Sequence, residues 1–144
     1  MPTRTARTGW TGTLEQGSGK VELTSSHLGT YEMSFPKRTA EEANGATSPE
    51  ELIAAAHSAC FTMALSKILG EAQLTAEQLD TSAQVTLESV DGGFAITAVH
   101  LTLKGKVPGA TPAQFVELAN KAKAGCPMSK LLKADISLDA QLVG

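Results

Sequence analysis

The stretch from Ser48 to Gly70 reads SPEELIAAAHSACFTMALSKILG, and it decides the fold. Ser48 is a favoured N-cap residue, Pro49 suits the first helical position, and Glu51 follows three residues after the cap, as in a capping box. Apolar side chains occupy almost every side of the helix that these signals begin, and Gly70 is expected to end it. We therefore predict a long helix over residues 48–69 that is buried on most sides.

The predicted helix is too apolar for one small domain to cover. A modest sheet covers one side of a helix, which leaves the opposite apolar side in water. Exposed apolar faces of this kind mark interfaces between protein chains. We therefore predict an obligate homodimer in which a second copy of the chain covers this side.

The residues before this helix show the alternation that is typical of strands. Up to residue 35, short stretches are separated by glycines, and Val21 and Leu23 alternate with polar neighbours as in a half-buried strand. These stretches predict a three-stranded antiparallel meander. Residues 36–47 lose the alternation and contain proline, glycine and asparagine, which predicts a long loop of the kind that is often functional.

The residues after the helix predict further strands and helices. In order, they are a helical turn beginning at Thr75, a strand over residues 83–87, a hairpin turn at Asp91-Gly92-Gly93, a strand over residues 94–103, a helix capped by Thr111 and ended by Gly125, a short helix from Cys126 to about Lys133, and a closing strand over residues 136–142. No repeat or linker interrupts them. Residues 1–144 are therefore expected to form a single α+β domain.

Length and composition argue against several classes of function. The chain has 144 residues, 42% of them hydrophobic, and a net charge of −3 from 12 basic and 15 acidic side chains. This charge offers no basic surface for nucleic acid or for an anionic membrane. No unbroken run of about 18 apolar residues exists for a membrane span, and the first ten residues lack the apolar core of a signal peptide. A cytoplasmic protein without nucleic-acid or membrane partners is expected.

The two cysteines, Cys60 and Cys126, are the chemically unusual side chains of this sequence. Cys60 lies in the apolar helix, where a buried cysteine often serves only as a small hydrophobe. Cys126 precedes Pro127 at a predicted helix start, where it either simply caps the helix or is stabilised as a thiolate by the free amides and the helix dipole. In a reducing cytosol, a bridge between the two cysteines is expected to be transient and catalytic rather than structural.

Other kinds of chemical site lack the residue patterns that they need. Two separated cysteines and three scattered histidines have none of the paired spacings of zinc sites. The glycines match no phosphate-binding loop, and no serine lies in a nucleophile elbow. His57 shares a helical face with Cys60, where it acts either as a base for the thiol or as a hydrogen-bonded imidazole in the core. His27 and His100 are expected in strands.

Three stretches together resemble the OsmC/Ohr family: SPEELIAAAHSACF (48–61), DGGFAIT (91–97) and AKAGCPMS (122–129). The likeness covers nearly the whole chain, and it is closer to the osmotically inducible protein C (OsmC) branch than to the organic hydroperoxide resistance (Ohr) branch. It implies antiparallel sheets wrapped around long buried helices in an intertwined homodimer, with active sites at the subunit interface. It also implies a thiol peroxidase that reduces organic hydroperoxides without metal or haem.

The resemblance carries roles to four residues by motif match. It implies Cys60 as the peroxidatic cysteine, Cys126 as the resolving cysteine and Glu50 as a carboxylate at the helix start. Arg38, in the stretch FPKR, matches the family's active-site arginine, and the adjacent Lys37 is the alternative cation. These roles make physical sense, because burial raises the pKa of a thiol and a guanidinium held by a carboxylate offsets that rise. Alternatively, Glu50 only stabilises the helix dipole.

Helix geometry separates Glu50 from Cys60 within one chain. Ten residues of continuous helix span about 15 Å along the axis. If the helices of two subunits cross antiparallel at a two-fold axis, the start of one approaches the middle of the other. We therefore predict that Glu50, together with Arg38, serves Cys60 of the partner subunit.

The expected cycle uses no bound cofactor. A Cys60 sulfenic acid condenses with Cys126 to a disulfide, and an external dithiol, of the dihydrolipoyl type or thioredoxin, restores the thiols. The apolar surroundings favour organic hydroperoxides, with hydrogen peroxide as a second candidate substrate. Two rival interpretations are a non-enzymatic redox sensor or binding module that uses the same cysteine pair, and a structural dimer with inert cysteines.

Overall fold

The computed structural model describes all 144 residues. Contacts between Cα atoms divide them into two units, Met1–Pro49 and Glu50–Gly144. Together the helices and strands confirm the predicted α+β class. The single domain over residues 1–144 stays a prediction.

The first unit is built on a three-stranded antiparallel sheet, which confirms the predicted meander. Its strands are β1 (Arg7–Thr11), β2 (Ser18–Glu22) and β3 (Thr30–Met33). Val21 and Ala46 are the only buried hydrophobic side chains in this unit, while Trp10, Leu28 and Tyr31 are exposed. The unit therefore has almost no core of its own, and a small sheet without a covered apolar face is marginally stable in water.

A short helix interrupts the stretch that was predicted to be a loop. This helix, α1 (Phe35–Thr39), begins after Ser34, whose hydroxyl oxygen accepts a hydrogen bond from the Lys37 backbone N–H at 3.3 Å. Pro36 lies in its first turn, where the missing N–H of proline costs no helical bond. The loop prediction is wrong over these residues because a serine cap followed by proline also begins a helix here.

The long apolar helix, α2 (Pro49–Glu71), begins where predicted but does not end at Gly70. The Leu74 backbone N–H donates to the Leu69 carbonyl at 2.8 Å, and the Gln73 N–H donates to the Gly70 carbonyl at 3.0 Å. Gln73 has a left-handed φ of 61°, so these bonds form a Schellman motif. The helix runs on to this motif because its last carbonyls find donors there, and because Leu74 packs against the hydrophobic core to which Leu69 belongs.

Two opposite faces of α2 are apolar, and only one of them is buried. The buried face consists of His57, Phe61, Leu65 and Leu69. The exposed face, about 200° around the helix, consists of Ala55, Ala59 and Met63. Met63 is 68% exposed. One chain therefore covers one side of this helix, as predicted, and burial of the opposite side by a second copy stays a prediction.

By length and composition alone, α2 could also cross a membrane, with a mean hydropathy of 1.5. Phe61, Leu65 and Leu69 nevertheless belong to the hydrophobic core of the second unit. A long core helix of a soluble protein meets the same criteria of length and hydropathy. We therefore interpret α2 as a core helix.

The second unit contains a three-stranded sheet in the order β4-β5-β6. Its strands are β4 (Gln78–Val90), β5 (Gly93–Lys106) and β6 (Asp135–Leu142). β4 and β5 pair antiparallel across the predicted turn, where Asp91 and Gly92 have φ angles of 41° and 82°, as in a type I′ hairpin. β6 pairs parallel to β5, so this sheet is mixed and not wholly antiparallel as expected. The parallel pairing arises because the chain returns through two helices before it re-enters the sheet.

Two local predictions, for Thr75 and for His27, are wrong. No helical turn forms at Thr75, because the Glu77 backbone N–H donates to the Lys106 carbonyl at 2.8 Å and the next residue already belongs to β4. Pairing with a neighbouring strand outweighs a local capping signal here. His27 lies in a turn with a φ of 58° and not in a strand, whereas His100 lies in β5 as predicted.

Two helices follow the hairpin, as predicted: α3 (Pro112–Gly125) and α4 (Pro127–Leu131). The Thr111 hydroxyl caps α3 by accepting a hydrogen bond from the Gln114 backbone N–H at 3.1 Å. Alternate residues of β5 point to one face of the sheet, and the core that they form with α2 and α3 is fully buried. Its members on β5 are Val99, Leu101 and Leu103, and those on α3 are Phe115, Ala119 and Ala122. The helices α2 and α3 therefore cover the same face of the sheet.

Gly105 in β5 allows α3 to approach the sheet closely. A Cβ atom on Gly105 would lie 2.5 Å from the Cζ atom of Phe115. Gly105→Ala should therefore lower the free energy of unfolding by about 1–3 kcal/mol through overpacking, as measured by urea unfolding followed by circular dichroism.

Gly93→Ala in the same strand is the matched control, because its Cβ would meet no atom closer than 3.9 Å. Phe115→Leu in the Gly105→Ala background should recover part of the lost stability. Equal destabilisation by the two alanines, with no recovery in the double variant, would contradict this account of the packing.

Candidate active site

The two cysteines, distant in sequence, lie side by side in the second unit. Cys60 is in the middle of α2, and Cys126 joins α3 to α4. Both are free thiols, and the Cys126 thiol donates to the Cys60 sulfur at an S–S distance of 3.1 Å. A disulfide bond is about 2.05 Å long, so the sulfurs need to approach by only about 1 Å to form one.

The two thiols differ in how accessible they are. Cys126 is fully buried in the core, whereas Cys60 is partly exposed. A small electrophile in solution can therefore reach Cys60 directly. It can reach Cys126 only when the structure opens locally.

Three contributions set the charge state of Cys60. Burial is the largest and raises the pKa of its thiol. The backbone N–H of Met128 donates to the sulfur and lowers the pKa, while the neighbouring Cys126 raises it, since a negative charge on one sulfur disfavours a second negative charge beside it. Within one chain the neutral thiol of Cys60 is therefore favoured, and a reactive thiolate needs a further cation beside it.

The start of α4 serves Cys60 and not Cys126. Cys126 occupies the N-cap position of α4 as predicted, but its side chain makes no capping hydrogen bond. Of the two alternatives for Cys126, capping by its side chain is not observed, and stabilisation of its thiolate by this helix stays a prediction. Sequence reasoning missed Met128, because every residue type except proline supplies a backbone N–H and no side-chain pattern marks the one that faces a sulfur.

His57 is hydrogen-bonded to a serine and not to a thiol. Its Nε2 atom lies 2.9 Å from the Oγ atom of Ser129, and its Nδ1 atom has no hydrogen-bond partner. Burial lowers the pKa of His57, so the ring is neutral at physiological pH. Of the two alternatives left open by the sequence, the structure favours the hydrogen-bonded core imidazole over the base.

The other predicted site residues lie in different units. Arg38 belongs to α1 in the first unit, and Glu50 lies in the first turn of α2 with 9% of its surface exposed. Because α2 is continuous, Glu50 and Cys60 are held about 15 Å apart along its axis. The alternative cation, Lys37, donates from Nζ to the Asn44 carbonyl at 3.2 Å. The joint action of Arg38 and Glu50 on a cysteine stays a prediction.

An apolar cavity of about 110 Å³ lies within the first unit. Its lining includes Trp10, Leu14, Met33 and Phe35, and Arg38 is the one charged residue among the lining side chains. Such a lining suits a small molecule with an apolar body and a single polar end. Sequence alone could not decide whether Trp10 and Phe35 serve in packing or in a pocket, because aromatic side chains serve both uses.

The amino-acid sequence of the chain is similar to a protein family and to individual relatives. The profile of the OsmC-like protein family matches residues 41–141. The peroxiredoxin OsmC of Escherichia coli (strain K12) is 48% identical over 133 residues, which are 92% of each chain. The organic hydroperoxide resistance protein OhrB of Bacillus subtilis (strain 168) is 31% identical over 140 residues, which are 96% of this chain and 93% of the relative. The higher identity to the first relative confirms the predicted branch.

Solved structures share the fold. The crystal structure of Bacillus subtilis OhrB aligns with a TM-score of 0.71 at 26% identity, covering 96% of this chain and 98% of that one. An OsmC-like protein of unknown function from Vibrio cholerae aligns with a TM-score of 0.76 at 17% identity, covering 97% of this chain and 99% of that one. At 17% identity, the likeness to the Vibrio cholerae protein shows a shared fold and nothing more.

The difference in burial between the two thiols predicts selective alkylation. In the native protein, iodoacetamide should modify Cys60 at least about tenfold faster than Cys126, because alkylation needs an accessible thiolate. Mass spectrometry of tryptic peptides measures both rates. The Cys60→Ser variant is the control and should be labelled at Cys126 only after unfolding in urea. Rapid labelling of Cys126 in that native variant would contradict its burial.

Proposed function

The chain belongs to the OsmC family, and we propose that it is a thiol-based peroxidase that reduces organic hydroperoxides to alcohols. One observation carries this proposal: a partly exposed Cys60 sulfur lies 3.1 Å from the sulfur of the buried Cys126. Such a pair can be oxidised at one sulfur and closed to a disulfide by the other. Support also comes from relatives named peroxiredoxin and organic hydroperoxide resistance protein.

Cys60 performs the first step, because it is the accessible thiol of the pair. Its thiolate attacks the terminal oxygen of the hydroperoxide ROOH. The S–O bond forms as the O–O bond breaks, and the departing alkoxide takes a proton and leaves as ROH. The sulfur is thereby oxidised to a sulfenic acid while the peroxide is reduced by two electrons.

Cys126 performs the second step from its buried position. Its sulfur attacks the Cys60 sulfenic sulfur, the S–S bond forms, and the hydroxyl group leaves with a proton as water. Because the two sulfurs are already 3.1 Å apart, this closure competes well with a second peroxide, which would oxidise Cys60 irreversibly to sulfinic acid. Burial suits Cys126 for this role, because peroxide cannot reach it directly.

Reduction of the disulfide is proposed to begin at the Cys60 sulfur. That sulfur is the accessible one, so an external thiolate attacks it and releases Cys126 as the leaving thiol. The second thiol of the same reductant then breaks the mixed disulfide and frees Cys60. This sequence requires a dithiol, such as a dihydrolipoyl group or thioredoxin, and no bound cofactor.

The apolar cavity of the first unit is proposed to hold the organic part of the substrate. Its apolar lining fits an alkyl or aryl group, and the Arg38 guanidinium can donate hydrogen bonds both to a peroxide oxygen and to a cysteine sulfur. A cation at that sulfur also counteracts the burial that raises the pKa of Cys60. Hydrogen peroxide lacks the apolar group and is expected to be a poorer substrate.

A second copy of this chain is proposed to complete the site. Ala55, Ala59 and Met63 leave an apolar face of α2 exposed, and the first unit has almost no buried core. Both features call for an apolar partner, and a symmetric pair of α2 helices supplies one for each chain. In an antiparallel crossing, Arg38 and Glu50 of one subunit would serve the cysteine pair of the other.

The cytoplasm is the proposed compartment. Two thiols at 3.1 Å would be oxidised to a lasting disulfide in an oxidising compartment, which would block the cycle. Reducing conditions keep the pair in the dithiol form from which the cycle begins.

A turnover assay tests the proposed function. With cumene hydroperoxide and excess dihydrolipoamide, or thioredoxin as the alternative reductant, the wild-type protein should consume many equivalents of peroxide. Cys60→Ser should abolish consumption. In the absence of dithiol, Cys126→Ser should consume one equivalent of peroxide, because its sulfenic acid then has no thiol to react with. A sensor would consume a single equivalent in the wild-type protein as well. Unimpaired turnover by Cys60→Ser would reject the assignment.

A mixed dimer tests the proposed exchange between subunits. Cys60→Ser and Arg38→Met should each be inactive as homodimers. A purified heterodimer of the two should regain about half of the wild-type activity, because one of its two sites has a complete residue set. An inactive heterodimer would place Arg38 and Cys60 of the same chain in one site.

Lys37→Met is the matched control for Arg38→Met. The Lys37 ammonium group, next to Arg38 in sequence, already donates to the Asn44 carbonyl. Its loss should therefore leave turnover near the wild-type level. Loss of turnover in Lys37→Met, with turnover retained in Arg38→Met, would make Lys37 the active-site cation.

A further inference from the structure

The imidazole of His57 is fully buried, one helical turn before Cys60. Its Nε2 atom lies 2.9 Å from the Ser129 Oγ atom, while Nδ1 has no partner. With the proton on Nε2, the ring donates to the serine and leaves a bare acceptor at Nδ1, which avoids a buried N–H without a partner. Burying a half-satisfied polar ring is unfavourable for stability, so this residue requires an explanation beyond packing.

Ser129 belongs to the helix that supplies both polar contacts of Cys60. Cys126 is the N-cap of α4, and the Met128 backbone N–H donates to the Cys60 sulfur. None of the five residues of α4 is fully buried, and no side chain caps the helix. The hydrogen bond from His57 therefore ties this short helix to α2 at the residue directly after Met128.

The His57–Ser129 bond and the sulfur contact join the same two elements. His57 lies three residues before Cys60 on α2, and Ser129 lies three residues after Cys126. Given the peroxidase function proposed above, we propose that the His57–Ser129 hydrogen bond is a latch that holds α4 against α2. His57 is thereby a positioning residue, which keeps the Met128 N–H and the Cys126 thiol on the Cys60 sulfur.

The latch should affect two properties of Cys60 that packing alone would leave unchanged. Without it, the Met128 N–H loses its fixed position, so the Cys60 thiolate becomes less stable and the thiol titrates at higher pH. The Cys126 sulfur also loses its fixed distance, so closure of the disulfide slows and the sulfenic acid survives longer.

The Ser129→Ala variant tests the latch. In the Cys126→Ser background, alkylation of Cys60 by iodoacetamide at pH 7 should slow by about three- to tenfold, with the midpoint of its pH profile displaced upward. With Cys126 present, one equivalent of cumene hydroperoxide should leave more sulfenic acid for trapping by dimedone, and excess peroxide should yield more sulfinic acid by intact mass.

Three further variants control this test. Ser137→Ala removes the bond between the Ser137 hydroxyl and His100 Nδ1, 2.6 Å long and located between β5 and β6, and should change neither property. Ser129→Thr keeps the hydroxyl and should restore both. His57→Leu breaks the latch from its other end without leaving a polar ring buried. It should reproduce the effects expected for Ser129→Ala, and it keeps the test valid if Ser129→Ala folds poorly.

The outcomes separate this proposal from the proposed function. Alkylation needs no peroxide, so its pH profile reports on the latch even if the wild-type protein shows no turnover. Wild-type alkylation and wild-type disulfide closure in both Ser129→Ala and His57→Leu would overturn the latch. Absence of wild-type turnover, with the alkylation shift present, would overturn only the peroxidase function.

Discussion

The structure depends on a single helix, α2, that is apolar on two opposite faces. Its own chain covers the face of Phe61 and Leu65, and the face of Ala59 and Met63 stays in water. Burial of apolar surface contributes about 25 cal/mol per Å², so the exposed face favours association. Cys60 lies between the two faces, about 100° of helical rotation from Ala59 on one side and from Phe61 on the other. The reactive thiol therefore sits at the boundary between the core of one chain and the surface that a second chain is proposed to cover.

The topology of the second unit places the Cys126 thiol next to Cys60 at that boundary. Because β6 runs parallel to β5, the chain must cross back over the sheet, and α3 and α4 make this crossing on the face that α2 also covers. Cys126 lies at the corner between the two crossing helices. The corner places three groups around α2: a thiol, the Met128 amide and the Ser129 hydroxyl. The parallel strand pair is thus a condition for the cysteine contact, although the two strands contain neither cysteine.

Sequence predicted most of the elements, because their signals are local. The caps at Ser48 and Thr111, the turn at Asp91-Gly92 and the alternation in β5 each depend on neighbouring residues. The errors occur where distant partners decide. The end of α2 shifts to a left-handed Gln73 because Leu74 finds a place in the core, and the turn predicted at Thr75 gives way to pairing with β5.

The candidate site also has residues that the sequence identifies and residues that only the fold reveals. The two cysteines stand out by residue type alone, and the resemblance of the surrounding motifs names their roles. The Met128 amide and the Ser129 hydroxyl have no such signal, since backbone groups and serines occur throughout the chain. Only the fold shows which of them reaches a sulfur or an imidazole. Tertiary contacts of this kind follow from the packing of α4 beside α2, which no local pattern encodes.

The position of Cys60 imposes two opposing requirements on its sulfur. Proximity to the buried Cys126 requires Cys60 to lie against the core, and the same burial raises the pKa of its thiol. The chain's own Met128 amide counteracts only part of this effect, because a single neutral donor stabilises a thiolate less than a full positive charge does. A guanidinium from a second subunit would supply that charge without giving up the burial. On this argument, an unassembled chain would keep Cys60 protonated and slow to oxidise, and the thiol would become a nucleophile when the proposed second copy covers the apolar face of α2.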